Sequence, residues 1–291
     1  MATLKPLPPS SESLDPERVI ESETDVGSIW LERDAELMTP SILELGRWAD
    51  ELTALMRVAL RPGMTFVDVG ANIGYFSVLG STLVGPEGRV LCVEADPANV
   101  AILRANLWKN NCQNAQVLPV AAWESETELS LVPNQAGGAG TAVDPGWEPD
   151  RAERIPAFRL DQMIDGRVDY VKVDCEGTDD RVVTGAEGLI RANPSLLLTV
   201  EHMAIHASRS IPAYRDLGLK PYEIRAFGRL RSTTYEAVAA RGEKDVTELF
   251  DFALAINEQR HLTSKSAAAL RWMRRGANGA RRKARARPAT K

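Results

Sequence analysis

The sequence predicts an α/β fold, a doubly wound, mostly parallel seven-stranded sheet with helices on both faces, and three observations carry that prediction. Short apolar runs of strand type recur at Thr65–Val69, Val90–Glu94, Gln116–Val120, Tyr170–Val173 and Leu196–Val200. Most intervals between them are long enough for a crossover helix, which parallel neighbours require. The runs are apolar almost throughout instead of alternating, the mark of strands covered on both faces.

The elements follow in chain order. Residues 1–15 are Pro/Ser-rich and bury too little apolar surface to offset ordering entropy, so they read as a disordered lead. Residues 16–62 read as an N-terminal helical segment. Thr39-Pro40 supplies a capping residue and a proline at the first helical position. Ile42, Leu43, Leu45, Trp48, Leu52, Leu55, Met56 and Val58 then recur at helical spacing, so one long amphipathic helix is expected. Arg61-Pro62-Gly63 stops it and opens the main domain, read over 63–260. Within that domain the clearest crossover helix is Ala98–Asn110, started by Asp96-Pro97 and faced by Val100, Leu103 and Leu107. After a short strand at Glu128–Val132, the run PNQAGGAGTAVDPGWEPDRAE has no period and reads as a lid-like loop over about 133–154. Glu223–Ala226 and Asp251–Ile256 read as late strands able to close the sheet as an antiparallel pair, with Ser232–Arg241 helical or irregular between them. Residues 261–291 read as a basic, disordered tail.

Composition narrows the function classes. The net charge is −5, but the segment from Arg271 to Lys291 carries nine Lys or Arg and no acid, leaving a body near −14. An acidic body does not point to nucleic acid or another polyanion as partner. The three cysteines, Cys92, Cys112 and Cys175, show no metal or disulfide spacing, and a cytoplasmic setting is expected. No run of eighteen apolar residues occurs, so no membrane partner is expected either. Monomer and homodimer both stay open.

The informative segment is Phe66-Val-Asp68-Val-Gly70-Ala-Asn72-Ile-Gly74, a strand running into a glycine-punctuated turn and then a helix. Glycine suits this switch position because the chain turns tightly and a ligand approaches the main chain. The spacing is DxGxNxG and not the dinucleotide GxGxxG. Asp68, expected to face the crevice, would repel a pyrophosphate and suits the ammonium of a methionine moiety, which favours S-adenosylmethionine over NAD. At the end of the second strand Glu94 is the expected acceptor for a ribose diol, beside Ala95, while Asp96 caps the next helix. At the third strand, Val120-Ala121-Ala122-Trp123 puts small residues where an adenine would lie. Trp123 reads equally as a cofactor contact or a packed core edge.

In the fourth strand, alternation places Lys172, Asp174 and Glu176 on one side. A lysine in an apolar strand needs a carboxylate close by, and Asp174 or Glu201 is expected to supply it. Asp174 stands where such folds keep their ligands, and a Lys–carboxylate pair without chemistry is the competing reading. Cys175 reads as a small buried residue whose flanking acids raise its thiol pKa. The fifth strand ends Glu201-His202, and His202 has the intrinsic pKa to take a proton from an acceptor hydroxyl. His202 and His206 do not share a helix in this reading, so no metal is expected.

Together these segments resemble the FkbM family of methyltransferases. The resemblance runs in order through DVGANIGYFS (Asp68–Ser77), VEADP (Val93–Pro97), Leu160-Asp161, KVDCEG (Lys172–Gly177), NPSLLLTVEH (Asn193–His202) and DFALAI, covering roughly Gly63 to Ile256. Asp179 stands where the family usually has Glu. The resemblance implies a class I methyltransferase sheet, S-adenosylmethionine as cofactor, and O-methylation of hydroxyls on sugars or secondary metabolites. Asp68, Gly70, Asn72, Gly74, Glu94, Ala95, Ala122 and Asp174 are the candidate cofactor-binding residues, and His202, Asp174 and Lys172 the candidate catalytic ones. Two other readings are separable by experiment. A non-catalytic adenosylmethionine-binding regulator would bind cofactor without turnover. A magnesium-assisted enzyme using Asp174 with Asp179 or Glu201 would lose activity to chelator.

Overall fold

The computed structural model describes residues 14–132, 141–143, 153–203, 206–242 and 249–257. Ahead of the expected helix it adds an antiparallel hairpin, β1 (Val19–Glu23) and β2 (Ser28–Glu32), turned where the Thr24 hydroxyl donates to Gly27 O at 2.6 Å. Five-residue strands give too brief an alternation to stand out in sequence. The run after Thr39 is two helices, α1 (Met38–Leu45) and α2 (Asp50–Ala59), which corrects the single helix expected. Gly46 is the cause: at φ 68° it takes a left-handed cap conformation and its N–H closes on Ile42 O at 2.7 Å.

The next five elements alternate as expected: β3 (Thr65–Val69), α3 (Tyr75–Val84), β4 (Arg89–Val93), α4 (Pro97–Lys109) and β5 (Ala115–Leu118). Asp96 caps α4 by accepting from Ala98 N at 2.8 Å, with Pro97 in the first turn. A second, four-stranded sheet follows, built from β6 (Ala121–Ala122), β7 (Thr127–Val132), β8 (Thr141–Val143) and β9 (Glu153–Phe158) in the order β6-β9-β7-β8. The run read as a lid loop therefore contains a strand, β8, paired antiparallel with β7, and the start of β9. Its remainder, most of the N-terminal lead and the basic tail lie outside the described residues.

The chain then returns through α5 (Leu160–Met163), β10 (Tyr170–Val173), α6 (Asp179–Thr184), α7 (Glu187–Ala192), β11 (Leu197–Met203), α8 (Ala207–Asp216), β12 (Lys220–Arg225), β13 (Arg229–Ser232), α9 (Tyr235–Gly242) and β14 (Leu249–Ala255). The main sheet runs β5-β4-β3-β10-β11-β14-β12-β13. Its first five strands are parallel, β14 is antiparallel to both neighbours, and β12 and β14 are the late strands read from sequence. β13 makes it eight strands, one more than expected. It forms the edge, where exposed Arg229 and Arg231 discourage pairing with another chain.

The winding fixes where a ligand can sit. From β3 the chain goes outward to β4 and β5, then comes back to β10 on the other side of β3, so the turns after β3 and β10 diverge and leave a crevice. One face of the sheet (Phe66, Tyr170, Leu197, Ala253) packs under α2, α3, α4 and the hairpin. The other face (Val67, Val171, Leu198, Leu254) packs under α6, α7, α8 and α9.

Asn106 ties the hairpin to the turn after β3. It is fully buried in α4, accepts from Trp30 N at 2.7 Å, and donates to Trp30 O at 2.9 Å and Ile73 O at 2.7 Å. Asn106→Ala leaves three backbone groups without these partners, and a loss of about 3 kcal/mol is expected, read as a lower urea midpoint at unchanged m-value.

Candidate active site

Most letters of the segment DVGANIGYFS have a local task. Gly70 takes φ 69°, and a Cβ placed on it would lie 1.8 Å from Asp174 O, so the turns after β3 and β10 touch backbone to backbone. Gly70 N and Ala71 N donate to Val93 O at 3.0 and 3.1 Å, which joins the turn to the end of β4. Asn72, at φ 50°, supports its own left-handed conformation by accepting from Ile73 N at 2.7 Å. Gly74, at φ 91°, lets Leu103 of α4 pack where a Cβ would stand. Tyr75 donates to Asp25 at 2.7 Å and accepts from Trp48 N at 3.1 Å, anchoring the N-terminal segment on the helix that follows the turn.

Glu94 closes this side of the crevice. It is 5% exposed, with one oxygen accepting from Asn72 N at 2.7 Å and the other from Asp96 N at 2.9 Å. Each carboxylate oxygen keeps a lone pair for a further donor. Burial outweighs these bonds and raises its pKa to about 7.

Asp68 departs from expectation. It is fully buried and does not face the crevice: one oxygen accepts from Ser77 Oγ at 2.7 Å and the other lies 3.5 Å from Lys172 Nζ. The strand register explains the pairing, because Asp68 of β3 sits directly opposite Lys172 of β10. Lys172 is 2% exposed and also meets Asp174 at 3.1 Å, Gly70 O at 3.4 Å and the Phe76 ring at 5.2 Å. Of the alternatives expected as partner for Lys172, Asp174 or Glu201, the fold supplies Asp174, and it adds Asp68. Burial disfavours the ammonium, but Asp174 and Asp68 outweigh it and raise its pKa, so it is charged at any working pH. Burial likewise raises Asp68, against the pull of Lys172 and Ser77.

Beyond Val173 the strand alternation lapses. Glu176 takes φ 51° in a turn and is exposed, so it does not continue the row of Lys172 and Asp174. Arg209 of α8 clamps that turn, donating to Gly177 O at 2.9 Å and to both oxygens of Asp180 at 2.6 and 2.8 Å. Asp179 accepts from Cys175 N at 3.1 Å, and burial followed by Asp174 raises its pKa to about 7. Cys175 is half-buried, its thiol pushed well up by burial and then by Asp179 and Asp174.

At the end of β11, Glu201 lies directly opposite Asp251 of β14. His202 follows and pairs with Phe250. The His202 side chain lies outside the described residues. Ala95 is half-buried at the exit of β4, and Ala122 is buried in β6. Trp123 follows the core alternative: it packs with Leu129, Leu131, Ile155 and Ala157, and Arg181 lies 5.9 Å from its ring centre.

Beside the turn after β3 thus stand Glu94 and, from β10, α6, β11 and β14, the neighbouring acids Asp174, Asp179, Glu201 and Asp251, with the buried Lys172 paired to Asp174 and Asp68. Such a field suits a ligand bearing positive charge and opposes a polyphosphate. Sequence reading quoted Tyr75, Phe76 and Ser77 within the motif without giving them a task, and it missed Arg209, which carries no motif.

Residues 68–232, more than half of the chain, match the family described as Methyltransferase FkbM domain. A protein named "Probable cobalt-precorrin-6B C(15)-methyltransferase (decarboxylating)" from Sulfolobus acidocaldarius is 31% identical over 85 residues, 29% of this chain and 44% of that protein. A protein-L-isoaspartate O-methyltransferase from Methanothrix thermoacetophila is 37% identical over 59 residues, 20% of this chain and 28% of that protein. The matched stretches span less than half the length of these relatives. Among solved structures, methyltransferase FkbM from Methylobacillus flagellatus matches at 21% identity and a TM-score of 0.37, over 48% of this chain and 32% of that one.

Proposed function

The chain belongs to the FkbM methyltransferase family, and from that premise we propose that it is an S-adenosylmethionine-dependent O-methyltransferase acting on a hydroxyl of a small molecule or sugar. The observation that carries this reading is the Gly70 turn pressed against the Asp174 backbone with Glu94 held beside it, in a crevice walled by carboxylates. The residues fit the cofactor: a glycine floor admits close approach, Glu94 retains acceptor capacity for a ribose diol, and the acidic walls suit an ammonium and a sulfonium. Bound there, adenosylmethionine supplies an electrophilic methyl group.

Gly70, Asn72 and Gly74 shape the methionine end, and Asp68 supports them from below through Ser77 and Lys172. Glu94 holds the ribose, with Ala95 and Ala122 leaving room for the base. Lys172 fixes Asp174 at the crevice edge, so that Asp174 faces the methionine ammonium. Alignment of the acceptor oxygen with the methyl carbon is the main demand on the protein, because the methyl group needs no further activation.

The test is transfer of labelled methyl from adenosylmethionine to simple glycosides and phenols by the full chain. Formation of S-adenosylhomocysteine with a labelled ether is expected; tight cofactor binding without turnover on any hydroxyl would overturn the reading. Glu94 adds a pH signature. Its carboxylate must be ionised to accept both ribose hydroxyls, so adenosylmethionine affinity should fall as pH drops through about 7. Glu94→Gln should weaken binding about 10- to 100-fold and flatten that dependence, measured by calorimetry.

A further inference from the structure

We propose that Glu201 and Asp251, cross-strand partners at the carboxyl edge of the sheet, are the pair that takes the proton from the acceptor hydroxyl during methyl transfer; this rests on the methyl-transfer reading above. In the sequence they are fifty positions apart. In the fold, register sets them opposite one another on β11 and β14, with Cβ atoms about 5 Å apart.

Both stand on the face of Lys172, since Lys172 of β10 lies opposite Thr199 of β11 and Glu201 is two residues further on the same side. Glu201–Asp251 is therefore the next row on that face beyond Asp68–Lys172–Thr199–Ala253, toward the carboxyl ends of the parallel strands. Asp174 is committed to Lys172 at 3.1 Å. Glu201 Oε2 is buried and, among the described residues, has no hydrogen-bond partner.

The charges around the pair explain how it can hold a proton in reserve. Glu201 faces Asp174, Asp179, Glu176 and Asp251, and burial first and these acids second hold its pKa far above the carboxylate range. Asp251 faces Asp174, Lys172 and, from α2, Glu51; burial and the two acids prevail over the ammonium and raise it to about 7. Burial and mutual repulsion thus favour one shared proton on the pair over two ionised carboxylates, so that either substitution disturbs the same unit. In the step itself the acceptor oxygen forms a bond to the methyl carbon as the carbon–sulfur bond breaks. The bonding pair returns to sulfur, giving a neutral thioether. The hydroxyl proton passes to the ionised carboxylate and from there to solvent.

The full chain and its Glu201→Gln, Asp251→Asn and Glu201→Asp variants test this by three measurements. Infrared titration should show a protonated carboxyl at neutral pH that both amide substitutions alter. Calorimetry with adenosylmethionine should show any loss of cofactor affinity to be far smaller than the loss in kcat. In methyl transfer to the glycoside and phenol panel, Glu201→Gln should lose about 100- to 10,000-fold in kcat, with Glu201→Asp recovering part of it and the acid limb of the rate profile displaced. Wild-type rates in Glu201→Gln and Asp251→Asn, with the loss appearing in His202→Ala instead, would overturn the proposal. So would the absence of any protonated carboxyl at neutral pH that either substitution changes. If the wild type binds cofactor but methylates no panel member, the hydroxyl-transfer reading fails while the infrared titration still decides the state of the pair.

Discussion

Gly70→Ala is expected to abolish cofactor binding and to destabilise the fold. The added Cβ would stand 1.8 Å from Asp174 O, and that oxygen belongs to backbone whose N–H is already fixed to Val69 O at 3.1 Å. Neither turn can yield without parting β3 from β10 at their carboxyl ends. The left-handed φ of 69° adds about 1–2 kcal/mol for any residue bearing a Cβ, and the clash adds about 1–3 kcal/mol more. Adenosylmethionine affinity should fall by at least about 100-fold, since the turn forms the floor of the site and that loss is close to 3 kcal/mol. Thermal melts and calorimetry on the same samples check both parts.

Lys172→Met is the second large effect. Asp68 would keep Ser77 but lose its buried counter-ion, and removing one partner of a buried pair costs about 3–5 kcal/mol. The pH dependence separates this from simple repacking. Burial already raises the Asp68 pKa and Lys172 opposes it, so the variant's Asp68 rises further. A raised carboxyl favours the folded state while protonated and loses that contribution as pH climbs through its folded pKa. The deficit of Lys172→Met should therefore be smaller near pH 5 than near pH 8 in urea titrations, and Asp68→Asn in the same chain should recover part of it. A deficit independent of pH would mean that packing against Phe76 dominates.

Much of the fold was legible because its signals are local. The apolar runs at Thr65–Val69 and Tyr170–Val173, the cap at Asp96-Pro97 and the Asp68–Gly74 segment each act within a few residues of themselves. The apolar period of the N-terminal helix continued across Gly46 although the backbone did not, because a single glycine breaks a helix without changing the pattern. β8 stayed hidden because a three-residue strand is defined by its partner β7 and not by its own sequence. In the site, the positions of Gly70 and Glu94 could be read from the strand–turn–helix order. The burial of Asp68 could not, because its cause is the register with Lys172, more than a hundred positions away. The pairing of Glu201 with Asp251 was hidden for the same reason. His202 carried a recognisable chemistry in the sequence, while its neighbour Glu201 acquires one only from the strand beside it.

Calorimetric titration of the full chain with adenosylmethionine and, separately, with NAD tests the site assignment most directly. Saturable binding of adenosylmethionine, lost in Gly70→Ala, weakened in Glu94→Gln and absent for NAD, is the expected result. Binding of NAD in its place, or adenosylmethionine binding that neither substitution changes, would contradict the assignment of this crevice to the methyl donor.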